Sequence, residues 1–302
     1  MFINKTVIFA LVFLSALHLC SCGEGNVDIT QAKYEPKIVI DGYIYPGRKV
    51  DDIKITRNFP LNSTIDASQI VLSSADVTLT ELSSDGKSYK LTYDPQRLSF
   101  FYNGSELTVK PGLSYKLDVK ATVDGKLLQA SSTTTVPLNG FQVEQKYLTP
   151  MYYREKDASG VLKNFTLKFK PSSNIDFYAI SIVPQQADLT SFIYNNAYFK
   201  PDSSDIKDNF DNYKYQSRWI QNVNANAPSI EYKIEWFDIW FYGEYKAIVY
   251  AADKNFADFI VTNGSVQEMD GNFHEPKQHV QGDGIGVFGS AIADTVYFSI
   301  KK

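Results

Sequence analysis

Four aspartates recur at every third position of one polar segment, and carboxylate oxygens are the ligands that calcium prefers in proteins. They are Asp202, Asp205, Asp208 and Asp211. Calcium takes about six to eight oxygen ligands, usually from a tightly wound loop with glycine at its bend. The D-x-[DN]-x-[DN]-G pattern of such a loop does not occur around these positions. The sequence therefore predicts a solvated acidic segment rather than a calcium site.

Two histidines lie in a segment that looks like a zinc protease motif. The H-E-x-x-H motif needs its histidines four positions apart, so that both project from one face of a helix. Here His274-Glu275 is followed by His279, five positions after the first histidine, and Pro276 interrupts the segment. The spacing therefore argues against zinc.

Other arrangements that could do catalytic chemistry are equally incomplete. The chain has no G-x-S-x-G nucleophile elbow. Its Gly282-x-Gly284-x-Gly286 run has no βαβ unit around it, as a dinucleotide site would need, and is predicted to be a tight turn. A hydrolase that uses two carboxylates stays open as an alternative, although no particular pair is indicated. We expect neither an enzyme activity nor a cofactor.

A long polar segment, residues 184–228, carries aromatic side chains among Asn, Asp and Ser. Structureless loops of more than about 15 residues are uncommon unless they are functional or disordered, and the aromatic content argues against disorder. Exposed aromatic rings can stack on sugars or anchor a protein partner. Tyr213, Tyr215 and Trp219 are therefore candidate ligand-binding residues. The alternative is that these rings cap the core.

Both cysteines of the sequence lie at the end of one N-terminal apolar run. A single cation, Lys5, precedes the run, which is shorter than the roughly 20 residues of a transmembrane helix and fits a signal peptide. The run ends in Leu19-Cys20-Ser21-Cys22, which resembles a bacterial lipobox. Cys22 is the favoured acceptor because a small residue precedes it.

We predict that residues 1–21 are a lipoprotein signal peptide and that Cys22 takes a diacylglycerol on its thiol and an acyl chain, such as palmitate, on its new amine. The alternatives are an uncleaved anchor and a secretory signal that happens to contain cysteine. Residues 22–34 are polar and predict a lipidated tether.

Composition limits the remaining possibilities. Loss of Lys5 with the signal would change the formal net charge from −4 to −5. This mild acidity gives no electrostatic reason to expect nucleic acid as a partner. Because no cysteine follows Cys22, the body of the protein can hold no disulfide, no thiol nucleophile and no cysteine metal site.

Apolar and polar side chains alternate with a period of two through residues 35–137. Short runs of this kind, with turn signals between them such as Asp85-Gly86, are typical of an all-β sandwich. We predict an immunoglobulin-like β-sandwich here, with strands at 37–45, 52–57, 75–82, 89–93, 98–102, 114–123 and 127–136.

Residues 141–302 are predicted to form a second, β-rich domain with little helix, separated from the first by residues 137–140. Its 184–228 segment is predicted to be a long aromatic insertion. A short helix is expected over 256–261 with Asp253 as its N-cap. The predicted strands are 141–148, 161–170, 177–183, 231–236, 242–250 and 294–300.

Several segments follow one another in an order that is more specific than any one of them. After the lipobox come Tyr34–Ile44 (YEPKIVIDGYI), Ile55–Asn58 (ITRN), Ala75–Leu79 (ADVTL), Leu113–Val119 (LSYKLDV), Phe273-x-Glu275-Pro276 and Gly284–Gly289 (GIGVFG). This series resembles the Bacteroidota lipoprotein family called domain of unknown function 4249 (DUF4249), over nearly the whole mature chain.

The resemblance implies an outer-membrane lipoprotein without an assigned activity, of a kind often encoded beside TonB-dependent receptors. We expect a non-enzymatic accessory or ligand-capturing partner of a TonB-dependent transporter, anchored at the periplasmic face or the cell surface. The alternatives are an adhesin-like surface module that binds a glycan or a protein, and a carboxylate-based hydrolase. The expected ligand is a glycan or a peptide.

Overall fold

The computed structural model describes residues 34–60, 63–173, 175, 177–222, 227–263 and 276–302. The predicted signal peptide, Cys22 and nearly all of the predicted tether lie outside the described residues. Residues Pro36–Lys302 group into one compact unit. No helix among the described residues has the length and apolar character needed to cross a bilayer.

The protein is mainly β, with 45% strand and 11% helix, so the predicted fold class is confirmed. The strands are β1 Ile38–Ile44, β2 Lys54–Arg57, β3 Asp76–Glu81, β4 Ser88–Lys90, β5 Thr92–Asp94, β6 Ser99–Phe101, β7 Ser114–Val123, β8 Lys126–Thr135, β9 Gln142–Val143, β10 Met151–Tyr152, β11 Thr166–Lys170, β12 Phe177–Pro184, β13 Gln216–Gln221, β14 Ile230–Lys233, β15 Gly243–Ala252, β16 Val280–Gly282 and β17 Gly284–Lys301.

Helices are short and few in the described part of the chain. The α-helices are α1 Ser203–Asp208, α2 Phe210–Lys214 and α3 Lys254–Asn263, and 3₁₀ turns occur at Ala67–Gln69 and Trp236–Asp238.

The first core lies between two sheets. One sheet has the order β16-β8-β7-β3-β4, and β1 and β2 belong to the other. Alternate residues of β7 are buried, as its period-two sequence predicts. These side chains join isoleucines of β1 and β2 in one cluster, which includes Ile40, Ile55, Leu79 and Leu117. A β-sandwich is therefore present, and it includes β16 and Phe288 of β17 in addition to strands from the predicted range 35–137.

The long strand β17 connects this core to a second one. Its first part runs parallel to β1, pairing Ile38 with Gly284, and its second part runs antiparallel to β15, pairing Gly243 with Ile300. The larger sheet thus has the order β13-β12-β15-β17-β1-β2, with β10 also beside β17. Strands from both sides of the boundary predicted at 137–140 therefore lie in one sheet.

The glycine-rich segment 282–289 was expected to be a tight turn, and that expectation was wrong for most of its length. Gly282 ends β16, where it pairs with Ala130 of β8, Asp283 alone lies between the two strands, and Gly284 to Gly289 pair with β1. The cause is close backbone approach: a Cβ on Gly286, where φ is +104°, would lie 2.1 Å from the Ile40 carbonyl oxygen. Glycine is needed there for space and conformation.

The second core is rich in aromatic rings. It lies between one face of the larger sheet and the small sheet β14-β11-β9. Trp236 is fully buried there and donates its indole N–H to the Lys163 carbonyl oxygen at 2.7 Å. Phe165 packs against Phe298 of β17 with ring centroids 4.6 Å apart. Because Tyr178 and Ile180 of β12 also face this core, alternate residues of β12 must face the other side.

The 184–228 segment contains regular structure, in contrast to the long insertion predicted for it. It holds α1, α2 and β13, and β13 pairs antiparallel with β12. Asp202 caps α1, because its Oδ1 accepts a hydrogen bond from the Asp205 backbone N–H at 2.8 Å. Sequence patterning missed β13 because an edge strand of mixed composition has no strong period.

Helix α3 packs on the opposite face of the larger sheet from the aromatic core. Asp253 accepts a hydrogen bond from the Phe256 backbone N–H at 3.1 Å, which confirms the predicted N-cap. Small residues let the helix approach the sheet: a Cβ on Gly289 would lie 2.9 Å from the Phe256 Cβ. Phe256 then packs with Phe177, Ala252 and Ala291 in a third, small cluster.

Candidate functional site

Two cavities lie along α3 on the face of the larger sheet, and Trp219 lines both. The larger has a volume of about 410 Å³. We call it the lysine cavity; its lining includes Phe177, Trp219, Gln221, Lys254, Asp258 and Lys277. The smaller has a volume of about 280 Å³. We call it the tyrosine cavity; its lining includes Tyr43, Tyr45, Trp219, Tyr250 and Phe256. Together they form the α3 cleft.

Trp219 sits at the junction of the two cavities. Its position in β13, opposite Ala179 of β12, turns the indole toward the α3 face of the sheet. The indole stacks on the ring of Phe177, with centroids 5.2 Å apart and planes inclined by 26°. Phe177 is buried, whereas 53% of Trp219 is exposed. The stack therefore holds a large aromatic surface in place without covering it.

The tyrosine cavity is built from strands that are distant in sequence. Tyr43 and Tyr45 come from β1 and the residue after it, and Tyr250 comes from β15. The Tyr43 ring lies 4.5 Å from that of Phe256, and the Tyr45 and Tyr250 centroids are 6.4 Å apart.

The tyrosine hydroxyls of this cavity are neutral at ordinary pH. Burial raises the pKa of Tyr45 to about 12 and also raises the pKa values of Tyr43 and Tyr250. A neutral phenol both donates and accepts hydrogen bonds. The cavity therefore offers aromatic surface with a few hydrogen-bonding groups, which is the usual make-up of a small-ligand site.

The lysine cavity has a cluster of charged side chains on its helix side. Asp258 Oδ2 lies 2.9 Å from Lys254 Nζ, 3.5 Å from Lys277 Nζ and 2.7 Å from His279 Nε2. Partial burial disfavours the Asp258 carboxylate, but these cationic and hydrogen-bonding neighbours outweigh burial and hold its pKa below the usual range. The cavity thus pairs an aromatic wall with a charged wall.

The three predicted ligand-binding residues are not brought together. Trp219 lines the cleft, but Tyr213 and Tyr215 are outside the described lining of both cavities. Tyr215 follows α2 and is 65% exposed.

Tyr213 instead covers the aromatic core. Its ring centroid is 4.6 Å from that of Trp240, and its hydroxyl donates to an Asp205 carboxylate oxygen. Desolvation, followed by this hydrogen bond, raises the pKa of Tyr213 to about 12. For Tyr213 the structure therefore fits the alternative considered from sequence, a cap on the core.

The described residues of the two candidate metal motifs make other contacts. Asp202 caps α1, Asp205 accepts from Tyr213, and Asp211 pairs with Lys214 at 2.7 Å. His279 contacts Asp258, whereas His274 and Glu275 lie outside the described residues. The described part of the chain brings no group of three His, Cys, Asp or Glu side chains into an arrangement that could hold a metal ion.

Several cleft residues were not singled out from sequence. Phe177, Tyr43, Tyr45 and Tyr250 each lie in or next to a predicted strand, on the face opposite the core residues of that strand. Aromatic side chains on outward faces were the available signal. That signal does not say which strands are neighbours, and the pairing of β1 with β17 is what places these rings on one face.

The α3 cleft lies within a region that has known relatives. Residues 24–295 match the family described as Domain of unknown function (DUF4249). The chain belongs to this family. The DUF4249 region includes all the residues that we assign to the cleft, from Tyr43 to Lys277. No curated protein matches the chain.

Solved structures resemble this DUF4249 chain only distantly. One, from a study of host cell surface retention of a 1.5-MDa bacterial ice-binding adhesin, is 11% identical with a TM-score of 0.22. The match covers 90% of this chain and 66% of that one. The chicken CNTN1 FN1-FN3 domains are 11% identical with a TM-score of 0.21, over 88% of this chain and 68% of theirs.

A third similar structure is the native conformation of E. coli alpha-2-macroglobulin. It is 10% identical with a TM-score of 0.21, over 92% of this chain and 17% of that one. TM-scores this low carry no argument about the function of the DUF4249 protein.

Proposed function

We propose that this chain is a non-enzymatic, lipid-anchored outer-membrane protein that captures a ligand in the α3 cleft and works with a TonB-dependent transporter. The observation that carries the proposal is the exposed indole of Trp219, which is held on buried Phe177 at the junction of two cavities. A rigid, exposed aromatic surface binds a ligand at a small cost in conformational entropy.

The cleft supports binding more than catalysis. Its aromatic walls are fixed by packing against α3 and the sheet, since Phe177 and Phe256 are both buried. Among the described residues that line the lysine cavity, Asp258 is the single carboxylate, and it is already paired with two lysines. A two-carboxylate hydrolase would need a second acid there.

The anchor and the transporter rest on the sequence. The Leu19-Cys20-Ser21-Cys22 segment supports lipidation at Cys22. The chain belongs to the DUF4249 family. The resemblance to that family implies genes that are often encoded beside TonB-dependent receptors, and this expected neighbourhood is the support for a transporter partner. In this proposal the lipid holds the cleft near the transporter, to which the captured ligand is passed.

An adhesin-like module that binds a protein is the second candidate, because a separate aromatic patch is also exposed. Tyr198, Phe199 and Phe237 are each about half exposed. The Tyr198 and Phe237 rings lie 6.1 Å apart, and the Arg154 guanidinium lies 5.5 Å from the Tyr198 centroid. Exposed aromatic and arginine side chains are enriched at protein interfaces.

A co-purification experiment tests the proposal. The full chain would be tagged at its C-terminus, extracted from outer membranes in mild detergent and analysed by mass spectrometry. We expect a transporter β-barrel in the eluate. We also expect the Cys22→Ala variant to lose acylation and membrane retention. Purification of the acylated protein without any transporter would contradict the transporter role.

Binding in the cleft is tested separately by a glycan and peptide array probed with the same protein. We expect Trp219→Ala to lose at least about tenfold in affinity, as removal of a central aromatic anchor does. Tyr215→Ala is the matched control, because Tyr215 is similarly exposed but is outside the lining of the cleft. Equal loss in both variants, or loss in neither, would contradict capture by the α3 cleft.

A further inference from the structure

We infer that the tyrosine cavity holds one pyranose ring of a glycan in a slot above Ala179, between Trp219 and Tyr250. This inference rests on the proposed ligand-capture function, and it specifies the class of the ligand and the part of the α3 cleft that recognises it. A volume of about 280 Å³ is near the lower end of small-ligand sites, which suits a single sugar unit.

The strand register creates the slot. Ala179 of β12 is paired with Trp219 of β13 on one side and with Tyr250 of β15 on the other. The three side chains therefore project from the same face of the sheet, and all three line the cavity. Neighbouring strands are about 4.8 Å apart, so β13 and β15 are separated by about 9.6 Å. Because alanine is small, the space between the two aromatic side chains stays open.

The width of the slot fits a saturated ring with an aromatic ring on each side. Van der Waals contact at about 4 Å on both faces of a ring requires about 8 Å between the flanking rings. Phe177 covers one face of the Trp219 indole, so the opposite face is available to a ligand. Tyr250 is held by α3, since its ring centroid lies 6.3 Å from that of Phe256. Both walls are thus fixed before a ligand arrives, which lowers the entropic cost of binding.

The tyrosine hydroxyls indicate a ligand with several hydroxyl groups. Among the described residues, the phenol oxygens of Tyr43, Tyr45 and Tyr250 have no hydrogen-bond partner. None of the three belongs to the enclosed, unpaired polar atoms of the described chain, so each is open to solvent or to a ligand. A pyranose carries hydroxyl groups around its edge and C–H groups on its faces, and it can satisfy both the phenols and the rings. An aromatic side chain of a peptide has at most one polar group and would leave most of these hydroxyls unpaired.

A neutral sugar can make every contact that this lining offers. Arg218 contributes to the lining, but it follows Ser217 and precedes Trp219 in β13, so its side chain projects from the opposite face of the sheet. There its guanidinium donates to the carboxylate of buried Asp238. The other described lining side chains are uncharged. Ring contacts and hydrogen bonds therefore suffice for binding.

The test compares neutral sugars with a peptide. The full lipidated chain, in a detergent without a sugar headgroup, is titrated by calorimetry with the α- and β-linked trimers of glucose, galactose and mannose. The tripeptide glycyl-tryptophyl-glycine is titrated in parallel as a ligand with an aromatic ring and no hydroxyl groups. We expect at least one trimer to bind at least about tenfold more tightly than the tripeptide, because the tripeptide leaves the phenols unpaired.

Filling the slot tests its position without removing any ring or hydroxyl. We expect Ala179→Leu to reduce the affinity for the bound trimer by at least about tenfold, because the added side chain occupies the place of the sugar. Thr295→Leu is the matched control. Thr295 precedes Val296 of the aromatic core, so it lies on the same face of the larger sheet as Ala179, but it is outside the lining. It should leave the affinity unchanged, and melting temperatures check that both variants fold.

Removing single hydroxyls tests the hydrogen bonds. Tyr45→Phe and Tyr250→Phe each delete one oxygen and keep the ring. We expect each to reduce the affinity for the trimer by about fivefold. Tyr215→Phe is the control, because Tyr215 is exposed outside the lining, and it should change nothing. These variants decide the matter if Ala179→Leu does not fold. Unchanged affinity in both would overturn recognition by the phenols.

The outcomes separate this inference from the proposed function. Sugar binding that is lost in Trp219→Ala but survives in Ala179→Leu would overturn the slot and keep capture by the cleft. Tighter binding of the tripeptide than of every trimer would overturn the sugar class alone. Binding of no probe would overturn the inference, and the array experiment would then decide the proposed function.

Discussion

Trp219 and Phe177 form one stacked pair in which one ring is exposed and the other is buried. Phe177 is 5% exposed and belongs to the cluster that fixes α3 to the sheet, whereas 53% of Trp219 is exposed to solvent. Their centroids are 5.2 Å apart. The inner ring therefore stabilises the fold, and the outer ring presents a surface.

The difference in burial between the two rings predicts losses of stability of different size for two alanine variants. Phe177→Ala should lower the free energy of unfolding by about 3 kcal/mol, because it leaves a cavity under α3. Trp219→Ala should lower it by about 1 kcal/mol, because half of the indole is already in water. Urea unfolding followed by circular dichroism measures both. A larger loss for Trp219→Ala than for Phe177→Ala would show that the outer ring is the structural one.

Asp253 should make the protein less stable as the pH rises. Burial raises the pKa of its carboxyl, outweighing the hydrogen bonds from Ser290, Thr134 and Phe256. The folded state then holds its proton at a pH where the unfolded state, with an aspartate pKa of about 3.9, has released it. Stability from this group is therefore complete below about pH 4 and decreases as the pH rises through the raised pKa.

The Asp253→Asn variant removes this titration while keeping a side-chain oxygen that can cap α3. We expect the free energy of unfolding of the variant, relative to the native protein, to increase between about pH 4 and pH 7. Urea titrations at several pH values measure the difference. Asp258→Asn is the comparison, because the pKa of Asp258 is lowered and its contribution is lost as the pH falls. Parallel curves for Asp253→Asn and the native protein would contradict this account of Asp253.

The pairing of β1 with β17 should be sensitive to a single methyl group. A Cβ at Gly286 would lie 2.1 Å from the Ile40 carbonyl oxygen, and φ there is +104°. Backbone has to move to accommodate it, so Gly286→Ala should destabilise the protein by more than about 4 kcal/mol or prevent folding.

Gly125→Ala is the matched control for that substitution. Its φ is +76°, but a Cβ there would meet no atom within 4 Å. It should therefore cost only the conformational penalty of about 1 kcal/mol. Thermal unfolding compares the two variants. Similar melting temperatures would show that β17 can shift away from β1 without consequence.

Local sequence patterns predicted much of the fold. The strand expected at 114–123 is β7 with the same limits, and Asp253 caps α3 as expected. Both features depend on residues that are close in sequence. Alternation of apolar and polar side chains places one set on each face of a strand, and an N-cap side chain accepts a hydrogen bond from a backbone N–H in the first helical turn. Such features need no knowledge of the rest of the chain.

Features that depend on distant neighbours were not predictable in this way. Gly284 to Gly289 read as a turn because glycine lowers strand propensity, and only the presence of β1 makes those glycines necessary. Trp219 was singled out as an exposed ring, but Tyr215 and Tyr213 were grouped with it by sequence proximity alone. Lys254 and Lys277 could not be singled out from the sequence, because only the folded chain brings both ammonium groups to Asp258.

The parallel pairing of β1 with β17 joins the first strand of the described chain to the last, so the sheet around β1 cannot form until the last strand is present. The register joins Ile38 to Gly284, and β17 contributes Phe288 to the first core and Phe298 to the second. Because synthesis proceeds from the N-terminus, β1 lacks this parallel partner until β17 has been made. Contacts so far apart in sequence form slowly. During that interval one edge of β1 is unpaired and open to pairing with other chains, so we expect a chain truncated before β17 to aggregate.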